Sequence, residues 1–153
     1  MRDSPPSSAE EDTVHYKLRL NRDSLAVVAG FLACDAPHEF PLIILAYVFV
    51  RKIAATFARA LYMPCDAVFH FGTYTIEGED RHALRRRIIL IGVRKIKQML
   101  GQLALKTQAR RSSADGWVLE DCESVYRPIC VFLQSFVRKE IDGIIKHIDD
   151  IES

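Results

Sequence analysis

This 153-residue chain lacks the usual signatures of catalysis. It has no phosphate-cradling glycine-rich loop, no nucleophile elbow and no His-Glu metal motif on a helix. Gly72, Gly78, Gly92 and Gly101 are dispersed, which suits turns and packing better than phosphate binding. The four cysteines, Cys34, Cys65, Cys122 and Cys130, form no Cys-x-x-Cys pair and stand at no metal spacing from the five histidines. Structural zinc draws on closely spaced ligand pairs, so no metal and no cofactor is expected, and the thiols read as buried and reduced. The opening MRDSPPSSAEED has no apolar segment of the kind a secretory leader needs, which predicts an intracellular, cytoplasmic address. The strongest apolar run, Phe40 to Val50, is about half the roughly 20 residues of a membrane span, so it reads as a core helix of a soluble or peripheral protein.

The most consequential absence is of carboxylates. From Arg81 to Arg111 there are ten Lys and Arg and no Asp or Glu. Residues 1–80 hold seven against eleven, and residues 112–153 hold four against nine, so formal charges of −4, +10 and −5 sum to the net +1. A cationic segment of this kind points to an anionic partner, unless the acidic flanks fold back over it.

A length of 153 residues fits one domain with one core. Residues 1–12, rich in Ser, Pro and carboxylates, read as a disordered tail, and residues 13–153 as the folded unit. TVHYKLRLN alternates Val14, Tyr16, Leu18 and Leu20 with His15, Lys17, Arg19 and Asn21, which predicts a half-buried strand. RDSLAVVAGFLACDAP follows as a short helix that Asp23 or Ser24 caps. The stretch from His38 to Pro64 has Pro41 in a first turn and is apolar nearly all round, which predicts the central helix of the core. Val68, Phe69, Phe71, Tyr74 and Ile76 suit a second strand, with a turn at Gly78.

In HALRRRIILIGVRKIKQ, Ile89, Val93, Ile96 and Leu100 fall at helical spacing, with cations on other sides. LALKT and GWVLE around QARRSSAD predict a looped hairpin. An amphipathic terminal helix follows, starting or breaking near Pro128, on the repeat of Val131, Phe132, Ser135, Phe136, Ile141, Ile144, Ile145 and Ile148. The expected fold is a single α+β domain: a central apolar helix and a basic helix packed with a small antiparallel sheet, then a C-terminal amphipathic helix.

The candidate binding residues are Arg85, Arg86, Arg87, Arg94, Lys95, Lys97, Arg110 and Arg111. Arg86, Arg94 and Lys97 make one stripe, which Arg110 and Arg111 extend from the hairpin loop. No aromatic interleaves them from Arg81 to Arg111, which disfavours base stacking and favours nonspecific electrostatics toward an anionic membrane or a coated RNA. His70 and Tyr74, sharing a strand face, with His82 nearby, read as structural. A thiol nucleophile at Cys65 has only sequence-adjacent arginines to activate it. No catalytic residue and no small-molecule substrate is expected.

The order of strand, short helix, apolar helix, strand, basic stretch and closing hairpin resembles the rhabdovirus matrix proteins, most specifically at QLALKTQARRSSADGWVLED. That resemblance implies a virion structural protein that self-associates, lies on the inner face of a membrane and condenses a ribonucleoprotein. The tail carries SPPSS in place of that family's PPxY motif. HEFPLIILAYVFVRKI followed by RHALRRRIILIGVRKI is similar to the second and third helices of a cyclin box, which implies a kinase-regulating partner protein. A generic intracellular protein-interaction module is the third reading. The expectation taken forward is a non-enzymatic, self-associating protein that docks its basic segment on an anionic membrane and ribonucleoprotein.

Overall fold

A computed structural model describes residues 8–36, 38–62, 69–112 and 120–153, with the side chains of 8–19, 69–71, 110–112 and 120–123 outside the description. Four helices run in chain order: α1 (Ser8–Ala33), α2 (Phe40–Tyr62), α3 (Gly78–Ser112) and α4 (Glu120–Glu152). Strands β1 (Phe69–Phe71) and β2 (Tyr74–Ile76) make a small antiparallel hairpin between α2 and α3. Helix accounts for 89% of the described residues, so the expected α+β domain is corrected to a mainly helical one in which this hairpin is the one described sheet.

The physical reason lies in period. Residues 13–21 belong to α1, not to a strand. Their alternation holds over nine positions, but Leu18, Asn21, Leu25, Val28 and Leu32 step by three and four, and the longer repeat prevails. Asn21, Leu25 and Val28 are buried as that repeat requires. The separate short helix expected after Asn21 is the rest of α1, and part of the expected tail, Ser8 to Asp12, is its first turn. Residues 1–7 lie outside the described residues.

The expected hairpin after Leu103 is likewise corrected. Leu100, Leu103 and Thr107 continue the inward stripe of α3, which runs on to Ser112, while residues 113–119, with Trp117, lie outside the described residues. The second strand is two short ones, turned at Gly72, whose φ of 62° suits a residue without Cβ. Its register pairs Phe71 with Tyr74 and His70 with Thr75, so His70 and Tyr74 do not share a strand face.

α2 forms as its composition predicts. Pro41 stands where a missing N–H costs nothing, and Glu39 offers its carbonyl to the amides of Leu42 and Ile43. Its inward residues, Phe40, Ile43, Tyr47, Val50, Ala54 and Phe57, pack among all three other helices. Phe40 stacks on Tyr126, the Arg51 guanidinium lies 4.6 Å over the Phe136 ring, and Tyr62 meets His147, so α2 and α4 run parallel. Arg85 reaching Leu61 and Thr107 reaching Tyr47 show α3 antiparallel to α2 and hence to α4, which Lys97 meets at Asp142.

Helices α2, α3 and α4 thus form a triangle, and α1 lies on the α2 and α3 side. The core contains Ile89, Val93, Ile96, Leu100 and Leu103 of α3 together with Cys130, Val137, Ile141, Ile144 and Ile148 of α4. Each fully buried aliphatic side chain contributes about 1.5–3 kcal/mol of transfer free energy.

Close approach of α2 and α3 depends on Gly92, where an added Cβ would stand 2.5 Å from the tip of the Phe57 ring. Alanine improves helix propensity by about 1 kcal/mol, but overpacking costs about 1–3 kcal/mol and the ring is enclosed. Gly92→Ala is therefore expected to lower stability by about 1 kcal/mol net in urea unfolding, and Phe57→Leu in the same chain to reduce the penalty of the glycine change.

Candidate functional site: the outer face of the basic helix

Helix α3 divides its cations between two jobs. Glu79 and Asp80 occupy its first turn, where carboxylates complement the helix dipole, and no further carboxylate follows on this helix. Arg85 is half-buried and donates at 2.8 Å to the carbonyl of Leu61, in the last turn of α2. Lys106 donates to the carbonyl of Cys34, just beyond the end of α1. Each cation thus satisfies an acceptor that a helix end leaves over, on the negative end of a dipole. Lys97 pairs with Asp142 of α4 at 2.7 Å, both groups about half exposed. These contacts fasten α3 to each of its neighbours.

The remaining cations behave differently. Arg87, Arg94 and Lys95 are exposed, and no described carboxylate lies within ion-pair distance of them. At about 100° per residue they span one arc of α3, centred away from the buried stripe of Ile89, Val93, Ile96 and Leu100. Ile91 lies within this arc and Leu105 extends it toward the C-terminal end, with 62% and 65% of their surfaces exposed. Arg86 is half-buried at the edge, its Nε without a partner.

The stripe expected from the sequence, Arg86, Arg94 and Lys97, is thereby divided: only Arg94 is both exposed and unpaired. Arg110 and Arg111 stand in the last turn of α3 and not on a hairpin loop, and their side chains lie outside the description. Among the described residues, two α4 carboxylates are used elsewhere: Asp142 holds Lys97 and Glu140 faces Arg51 at 3.9 Å.

One described cavity, about 110 Å³, lies where α2, α3 and α4 meet near Phe40, Tyr47, Thr107, Arg127, Cys130 and Gln134. Thr107 donates to the Leu103 carbonyl, which leaves its oxygen to accept from the Tyr47 hydroxyl at 3.4 Å. Burial pushes both the Tyr47 phenol and the Cys130 thiol above their ordinary values, so both stay protonated at neutral pH. The cavity wall has no carboxylate or imidazole to accept a proton from either. Among the described residues no cluster of His, Cys, Asp or Glu could hold a metal ion. Cys65 lies outside the described residues, and Cys34 is exposed where a buried thiol was expected.

A second surface escaped the sequence reading. Phe132, counted there with the inward residues of α4, is 65% exposed, and the inward position is taken by Cys130 at 1%. The signal was present in the spacing of Cys130, Val137, Ile141, Ile144 and Ile148, which outranks the greater hydrophobicity of phenylalanine.

No family model, curated protein or solved structure matches the chain.

The two described cysteines are expected to react differently: a thiol reagent modifies Cys34 in the native protein and Cys130 only on unfolding. Raised native values also set a sign for alkaline stability. From about pH 9 upward, first the thiol and then the phenol ionise in the unfolded chain while the native groups stay protonated, so stability falls. Tyr47→Phe with Cys130→Ala is expected to flatten that fall in urea unfolding measured across the alkaline range.

Proposed function

We propose that this protein is a non-enzymatic docking module that places the outer face of α3 on an anionic membrane surface. The observation that carries the reading is the set of Arg87, Arg94 and Lys95, exposed and unpaired on one arc with Ile91 among them. Cations are drawn to anionic headgroups and an apolar side chain at the same depth enters the acyl boundary, a combination that a lipid surface uses and a phosphate backbone does not. The outer arc has no aromatic on which a base would stack. Each basic residue near such a surface contributes about 1 kcal/mol, so the three together are worth roughly a hundredfold in partitioning.

The most specific part of the matrix-protein resemblance, QLALKTQARRS, is helical where the resemblance implies a hairpin, so the reading rests on the face itself and not on that family. The kinase-regulator reading gains a mainly helical fold, but the β1 and β2 hairpin between α2 and α3 has no place in an all-helical cyclin box.

The test is co-sedimentation with phosphatidylserine-containing vesicles at low salt, comparing the natural chain with Arg87→Glu, Arg94→Glu, Lys95→Glu. We expect at least a thirtyfold loss of partitioning with the helical circular dichroism unchanged. Binding within twofold of the natural chain would falsify the reading, and so would retention of short RNA duplexes with vesicles ignored.

A further inference from the structure

The cavity where α2, α3 and α4 meet, about 110 Å³, has a wall whose chemistry changes with depth. A small residue opens it. The inward side of α3 is filled by Ile96, Leu100 and Leu103, but the next position toward α4 is Ala104, whose methyl leaves the space beside Cys130 empty.

Phe40, Tyr47 and Cys130 form the floor, all of them buried. Its polar atoms are already satisfied: the Tyr47 hydroxyl donates to Thr107, whose own hydroxyl donates to the Leu103 carbonyl. A buried thiol behaves as a small hydrophobe. An alkyl group placed here therefore leaves no donor without its acceptor.

The mouth is different. Arg127 and Gln108 are exposed and Gln134 is half-buried, and no described carboxylate lies within ion-pair distance of Arg127. The guanidinium offers a pair of parallel N–H groups that matches the two oxygens of a carboxylate, and the amides of Gln108 and Gln134 add neutral donors. An anion bound there meets no like charge in the wall, because burial keeps Tyr47 and Cys130 protonated at neutral pH.

Donors at the mouth and a satisfied floor select a molecule charged at one end only. Size sets its length: a cavity of about 150 Å³ holds one benzene, so one of about 110 Å³ takes roughly four carbons. We infer that this cavity binds a short unbranched monocarboxylate, butanoate or pentanoate in length, with its carboxylate on Arg127 and its tail against Phe40, Tyr47 and Cys130. The acyl chain of a membrane lipid is too long for it. The inference does not rest on the membrane reading, since Arg87, Arg94 and Lys95 take no part in this wall.

The experiment titrates the full chain, without lipid, with the sodium salts of the straight-chain acids from acetate to octanoate, followed by amide NMR. Saturable shifts are expected around Tyr47, Thr107 and Cys130, with a dissociation constant that is roughly millimolar. Each methylene that enters the cavity is worth about fourfold, so affinity climbs from acetate, peaks at butanoate or pentanoate and falls at least tenfold by octanoate, whose extra carbons find no room. Ala104→Leu fills the space and is expected to abolish binding with the helical circular dichroism unchanged. Arg127→Gln, an exposed change that spares the core, is expected to weaken pentanoate at least tenfold, and 1-pentanol to bind the natural chain at least tenfold more weakly than pentanoate. No saturable shift with any acid overturns the inference, and so does affinity that keeps rising to octanoate, which marks an open apolar surface. Binding undiminished by either substitution, or pentanol or inorganic phosphate equalling pentanoate, overturns it as well.

Discussion

The enclosure of α2 governs this structure. A helix apolar on nearly every side must bury much of its surface, and α2 has the composition and length of a membrane-crossing segment, with a mean hydropathy of 1.7. Three helices pack against its inner side, so that Ile43, Tyr47, Val50 and Ala54 keep 2% or less of their surface exposed, while Leu42, Leu45, Val48 and Phe49 on its outer side keep 39–59%. The charge segregation follows from the same demand. Helix α3 must offer α2 a wide apolar stripe and still remain soluble, which leaves its polar positions to carry a dense set of cations.

How those cations are used separates fold from function. Arg85 and Lys106 close the carbonyl ends of α2 and α1, and Lys97 ties α3 to α4. Such contacts require a positive donor of some length but no partner outside the chain. Arg87, Arg94 and Lys95 make no such contact, and removing them would cost the fold little, since exposed charges contribute little to stability. Residues that the fold does not need, grouped on one arc, are the proper place to look for a partner.

Part of this was legible in the sequence. Pro41 and the run after it announce α2, and the spacing of Ile89, Val93, Ile96 and Leu100 announces the inward side of α3. The alternation from Val14 to Leu20 misled because a short window satisfies both periods, and only continuation through Leu25, Val28 and Leu32 separates them. Leu103 misled for a similar reason, since the apparent hairpin is a helix stripe read too briefly. The site was less legible. Which cations remain free depends on partners far away in sequence, Leu61, Cys34 and Asp142, that no local pattern reveals. Burying Cys130 in preference to Phe132 is likewise a decision of tertiary packing.

The central claim is that free positive charge on α3 meets negative lipid. It is tested most directly by the salt dependence of partitioning onto anionic and onto neutral vesicles. The account predicts strong binding to anionic vesicles at low ionic strength, falling toward the neutral-vesicle level as the screening length shrinks to about 3 Å near 1 M salt. Equal affinity for both kinds of vesicle, unmoved by salt, would contradict it.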